Sequence, residues 1–199
     1  MKSVHPTYLS LVVATHREPQ DCAAPLVVTG FAMLEICKLG RDGWSFALNA
    51  SVVDSLDDEV ALLTRLADSL PMPGFLVGEH IEGATFAPLL QAADRLPPPV
   101  GAYLGMRVAR LRQAMAIDVA LGSARRTAPL RYAESMPDTR PFAIKLDAKR
   151  IVDPNDARAC LEACAIANWL RFLRCPGIPR LTTASIATLT WAASRGLKL

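Results

Sequence analysis

Three β-strand patterns follow one another in the first 53 residues with no helical pattern between them. Residues 7–15 (TYLSLVVAT) are rich in β-branched and aromatic side chains, which favour the pleated backbone. The polar stretch HREPQDCAAP carries two prolines and reads as a loop. Residues 26–38 (LVVTGFAMLEICK) form the second run, LGRDG the turn, and 44–53 (WSFALNASVV) the third. The short Gly-containing turn makes the last two runs a hairpin. A chain that opens with three antiparallel strands and continues with helices folds as an α/β protein around a mixed sheet, not as a helical bundle.

The remaining pattern supplies those helices. Ser55 caps a helix over 56–70, where Asp58 and Glu59 stand in the first turn and favour its positive end. Val60, Leu63, Leu66, Ala67 and Leu70 recur at helical spacing, and Pro71 and Pro73 end it. GFLVGEHI (74–81) is short and mostly apolar, as expected of a buried parallel strand. An amphipathic helix runs from Phe86 to Leu96 and stops at Pro97, Pro98 and Pro99. A third helix covers 100–115, and AIDVALG (116–122) is a further apolar run. Residues 123–150 are irregular, with a candidate strand at 142–147. Asp153 caps and Pro154 opens a helix to about Cys175. Pro176, Gly177 and Pro179 break it, and a last helix spans about 181–195. A chain of 199 residues is expected to form a single domain, 1–199, with that last helix as a candidate appended element.

Charge is distributed unevenly. Residues 1–100 hold 6 Lys+Arg against 12 Asp+Glu, a balance of −6, and residues 101–199 hold 16 against 7, a balance of +9. After Glu162 come Arg171, Arg174, Arg180, Arg195 and Lys198 with no acid. A basic half attracts phosphates or an acidic partner, although scattered arginines are equally an ordinary solvated surface. The five cysteines (22, 37, 160, 164, 175) contain no C-x-x-C pair and are expected as reduced thiols in a cytoplasm. Cys160 and Cys164 are four apart and share one helix face, either as half of a metal or redox site or as two small buried side chains. The apolar run Leu9–Ala14 is too short for a membrane span and only Lys2 precedes it, so no membrane association and no signal peptide are expected.

Four local motifs stand in a recognisable order. The first strand pattern contains Leu11-Val12-Val13-Ala14-Thr15. After the short strand at 74–81 comes Gly78-Glu79-His80-Ile81-Glu82-Gly83-Ala84-Thr85-Phe86-Ala87-Pro88-Leu89-Leu90. Ala116-Ile117-Asp118-Val119 follows, and the penultimate helix reads Cys160-Leu161-Glu162-Ala163-Cys164 and onward to Asn168-Trp169-Leu170-Arg171-Phe172-Leu173-Arg174. Together with the element order, this arrangement resembles the DEDD-type 3′–5′ exonuclease family, similar to the proofreading domain of family-B DNA polymerases. The resemblance implies an RNase H-like mixed sheet of five or six strands flanked by helices. That family carries Asp-x-Glu-Thr on the first strand, "NGxxFDxPxL" after the short strand and "YCExDVxxTxxxxLR" on the late helix. Here Val12 and Ala14 replace the first two carboxylates, Ala87 the third and Cys164 the fourth, and Cys160 replaces the tyrosine that orients the attacking water.

Two-metal phosphodiester hydrolysis needs several carboxylates converging on paired cations. Val12, Ala14, Ala87 and Cys164 supply none. Glu35, Asp54, Asp118 and Glu162 remain as substitutes, with Glu35, Asp118 and His80 the candidates for a relocated metal site. His16 and His80 follow strands and, with Glu18 or Glu79, could bind one ion; exposed loop histidines are the ordinary alternative. The chain has no P-loop, no G-x-S-x-G and no H-E-x-x-H. Trp44, Trp169 and Trp191 read as core, or as a stacking surface where exposed. The expectation is therefore a catalytically inactive, exonuclease-like binding module. It would contact nucleic acid or an acidic protein partner through Arg107, Arg110, Arg112, Arg125 and Arg126, and needs no cofactor. Two alternatives stand beside it: a divergent nuclease using Mg²⁺ or Mn²⁺ on relocated ligands, and a structural subunit of an oligomer.

Overall fold

The computed structural model describes residues 7–16, 25–40, 43–53, 55–119, 123–124, 154–175 and 182–196. The three opening runs form β1 (Tyr8–His16), β2 (Val27–Leu39) and β3 (Gly43–Val52). A 3₁₀ turn at Leu56–Asp58 leads into α1 (Glu59–Ser69), and the Ser55 hydroxyl accepts the Asp57 N–H at 3.3 Å. After β4 (Phe75–Gly78) comes one π-helical turn (Ile81–Phe86), then α2 (Ala87–Arg95), α3 (Pro98–Leu111), β5 (Met115–Asp118) and the two-residue β6 (Ser123–Ala124). The long helix α4 (Pro154–Arg174) and α5 (Thr182–Ser194) complete the described chain.

Two boundaries differ from the sequence expectation. Pro98 and Pro99 open α3 instead of only ending α2, because the first-turn N–H groups of a helix have no intrahelical acceptor and proline forfeits nothing there. The third helix, expected to reach 115, ends at Leu111, and the apolar run after it supplies the strand Met115–Asp118. The candidate strand at 142–147 lies outside the described residues.

The strands make one mixed sheet in the order β3-β2-β1-β4-β5-β6. Central β1 pairs antiparallel with β2 and parallel with β4, and β4 pairs parallel with β5. Alternation along β1 divides the core. Leu9, Leu11 and Val13 face the α1–α3 layer, where they meet Phe31, Met33, Leu62, Leu66, Leu104 and Val108. Tyr8, Val12 and Ala14 face the α4–α5 layer and meet Leu34, Leu161, Ala165, Trp169 and Phe172. The chain is thus a mixed α/β protein with helices on both faces of the sheet. Among the described residues, no helix is long and apolar enough to cross a membrane.

Two features set α4 against the sheet. Gly30 of β2 stands opposite Ala14, and a Cβ there would come within 2.9 Å of Leu161 Cδ1 on α4. The absent side chain lets the helix lie close to the end of β1. On the other side, the fully buried Trp169 indole donates to Thr188 Oγ1 at 2.9 Å, and that hydroxyl donates to the Ala184 carbonyl at 2.7 Å. This chain of bonds ties α5 to α4. Trp44 Nε1, on β3, donates to Thr183 Oγ1 at 3.3 Å and ties α5 to the sheet as well.

Candidate functional site

A cleft of about 360 Å³ opens where the end of β1, the β4–α2 connection and one face of α4 meet. Cys164, Ala167, Asn168 and Arg171 recur at helical spacing and form the α4 wall, opposite Val12 of β1. Glu79, His80, Ala84 and Thr85 close the third side. Val12 and Cys164, 152 positions apart in sequence, therefore line the same cleft. Ala14 shares the face of β1 that Val12 presents. Ala87 is half-buried at the head of α2, outside the cleft lining, and Cys160 lies one turn before Cys164. The neighbours of Ala87 have structural duties: Phe86 and Leu89 are buried in the α1–α3 core, and Pro88 sits in the first turn of α2.

The connection after β4 is held by a carboxylate. Asp118 Oδ1 accepts the His80 N–H at 3.1 Å and Oδ2 accepts the Ile81 N–H at 3.2 Å. These bonds hold His80 in the left-handed conformation (φ 51°), unusual for a residue with a side chain, at the entrance to the π-helical turn. In that turn the Ala87 N–H reaches back to the Glu82 carbonyl. Isolated π turns inside helices recur beside functional sites because they re-aim one or two side chains.

Charge in the cleft is balanced. Glu79 Oε2 accepts from Arg171 Nη1 at 2.5 Å, joining the connection to α4. Among the described residues, the other titratable lining groups are His80 and Cys164. Burial pushes the Cys164 thiol up, with Cys160 and Glu79 adding to the shift and Arg171 opposing it.

The candidate metal ligands do not converge. Asp118 is buried and uses both oxygens on backbone N–H groups. Glu35 lies at an odd position of β2, with Phe31 and Met33, and so faces the α1–α3 layer, away from Val12 and Cys164. Burial raises its carboxyl above the ordinary glutamate range. Glu162 pairs with Arg158 at 3.1 Å along α4. His80 alone of the three relocated-site candidates lines the cleft. Asp54, His5 and Glu18 lie outside the described residues. Among the described residues, no group of three or more His, Cys, Asp or Glu side chains is placed to hold a metal ion.

The proposed basic surface is also altered by tertiary contacts. Arg107 is turned inward: its Nε donates to the Ala67 carbonyl at 3.0 Å and its Nη2 to the Leu70 carbonyl, at the end of α1. Arg112 pairs with Glu82 at 3.1 Å and its guanidinium lies 5.7 Å from the centre of the Phe86 ring. Arg110 is exposed. Arg125 and Arg126 lie outside the described residues. Arg107 therefore serves the fold, and the described part of this surface keeps two exposed cations, Arg110 and the Glu82-paired Arg112.

Sequence reasoning missed three residues of the cleft: Thr85, Asn168 and Arg171. A signal existed for two of them, since Asn168 and Arg171 stand four and seven residues after Cys164 and so share its helix face. No family model, curated protein or solved structure matches this chain.

Proposed function

We propose that this chain is a non-catalytic binding module of RNase H-like, exonuclease-like architecture whose cleft is a recognition site. One observation carries the reading: the cleft walls hold Val12 and Cys164, and among the described residues the one carboxylate lining it, Glu79, is already paired with Arg171. A two-metal centre needs several carboxylates free to ligate. Among the relocated-ligand candidates that the structure describes, Asp118 already holds the His80 and Ile81 backbone with its two oxygens. Support for the architecture comes from a central first strand antiparallel to the second and parallel to the fourth, with helices on both faces.

The inward turn of Arg107 and the pairing of Arg112 move the weight of binding from the basic surface to the cleft. The test is a nuclease assay with purified protein, end-labelled single-stranded DNA and RNA, and Mg²⁺ or Mn²⁺. No nucleotide release is expected. Metal-dependent release that Glu79→Gln or Asp118→Asn abolishes would establish the relocated-ligand enzyme and overturn this reading.

A further inference from the structure

Two polar side chains in the cleft have no hydrogen-bond partner among the described residues. Asn168 is 7 % exposed and Thr85 is 3 % exposed, and both line the cleft. Neither the Asn168 carboxamide nor the Thr85 hydroxyl forms a hydrogen bond to another described residue, whereas the buried Thr188 hydroxyl both accepts and donates. More than nine-tenths of native buried polar groups are paired with protein or with water, and these two are left to the solvent of the cleft. The sealed, unsatisfied oxygen in the described core is Ser10 Oγ, which lies outside this cleft. The capacity of Asn168 and Thr85 is therefore directed into the cleft.

We infer that the cleft binds a small, uncharged, planar molecule bearing an amide-type edge, held by Asn168 and Thr85; this rests on the reading of the cleft as a recognition site. A carboxamide presents a donor and an acceptor side by side. Its complement is an acceptor–donor edge such as a lactam or primary amide, which it meets with two parallel hydrogen bonds. The Thr85 hydroxyl adds a third donor or acceptor. Neutrality follows from the ion pair: an anionic ligand would lie against Glu79 and a cationic one against Arg171, and at 2.5 Å these two charges offset one another. Val12 on the strand and Cys164 and Ala167 on α4 give the cleft weakly polar walls that suit the faces of a planar ring. The volume of about 360 Å³ lies in the range of small-molecule sites.

The probes are 2-pyridone, which carries the lactam edge, and N-methyl-2-pyridone, which has the same ring but no N–H donor. Each is titrated into the full chain, without metal, to concentrations on the order of millimolar, where a fragment of this size binds. Binding is read by NMR from the backbone amide resonances of the cleft-lining residues Ala84, Thr85, Ala167 and Arg171, which every variant retains, and in the parent also from the Asn168 side-chain amide. Saturable shifts are expected with 2-pyridone, with affinity at least about tenfold weaker for the N-methyl compound, the factor for a lost hydrogen bond of ~1.4 kcal/mol. Asn168→Leu abolishes binding and Thr85→Val weakens it. Both variants melt at or above the parent temperature, because an apolar group of similar shape replaces one that no protein partner satisfies.

Equal binding of the two probes, absence of any saturable shift with 2-pyridone, or binding retained in Asn168→Leu overturns the inference. So does a clear fall in melting temperature for both variants, which would show that the groups serve the fold. These failures leave the nuclease result untouched, so the ligand class and the non-catalytic reading are judged separately.

Discussion

Arg107 Nε donates to the Ala67 carbonyl at 3.0 Å, forty positions away in sequence, so a residue of α3 satisfies the C-terminal end of α1. The last carbonyls of a helix have no intrahelical donor and carry the negative end of its dipole, which a guanidinium offsets.

Replacing Arg107 with Ala is accordingly expected to cost about 2 kcal/mol, the range for hydrogen bonds from a charged donor. Glu at this position is expected to cost more, since it brings a negative charge to the negative helix end. Arg110→Glu, at an exposed site on the same helix, should change stability by less than about 0.5 kcal/mol. Urea unfolding of the three variants checks the order. A triple charge reversal at Arg107, Arg110 and Arg112 would therefore report on folding as well as on binding.

Ser10→Ala is expected to raise stability by about 1 kcal/mol, because it removes a buried hydroxyl with no partner and leaves a methyl in the same core. Thermal and urea midpoints are the readout, and an unchanged or lower midpoint would mean that the hydroxyl is satisfied.

Thr188→Val keeps the shape of the side chain but leaves the Trp169 indole N–H, fully buried, without its acceptor. The expected cost is about 1–3 kcal/mol. Thr188→Ser keeps the hydroxyl and is expected to retain most of the stability. A change in the near-UV circular dichroism of tryptophan in the Val variant, absent in the Ser variant, would locate the effect at the α4–α5 contact.

Glu35 gives a pH dependence with a definite sign. Burial raises its carboxyl in the folded state, so the folded chain holds the proton to a higher pH than the unfolded chain. The stability this carboxyl permits is fully present below the unfolded value and is lost as pH rises through the folded value. Glu35→Gln should flatten that decline and be the more stable form at neutral pH. Urea midpoints measured from about pH 4 to pH 7, across the carboxylate range, test this.

At Cys164 burial holds the thiol protonated through neutral pH, so its alkylation by iodoacetamide should stay slow until the solution is alkaline. Arg171→Met removes the one lowering influence and frees the Glu79 charge, and should slow the reaction further. Site-resolved mass spectrometry at a series of pH values gives the profile, and rapid labelling near neutral pH would show an accessible thiolate instead.

The order of the elements was legible because strand and helix periodicities differ and because glycine and proline punctuate them. The runs at 7–15, 26–38 and 44–53 became β1, β2 and β3, and of the expected apolar stripe Leu63, Leu66, Ala67 and Leu70 are buried, whereas Val60 is exposed and Leu62 takes a core position instead. Pro98 was ambiguous because the same residue ends one helix and suits the first turn of the next.

What the sequence by itself determined was this local alternation, and with it the fact that Val12 and Ala14 share one face of their strand while Glu35 and Met33 share one face of theirs. Which layer each face meets was decided only in three dimensions, because it depends on where α4 docks, and Gly30 and Leu161 set that docking across 131 positions. The roles of Arg107 and Asp118 were invisible for the same reason: their partners are backbone groups, and every residue but proline carries the same donor and acceptor. Asn168 and Thr85 read as ordinary polar letters. Their meaning comes from burial beside a cleft that leaves both without a partner among the described residues, and burial is a property of the packed chain alone.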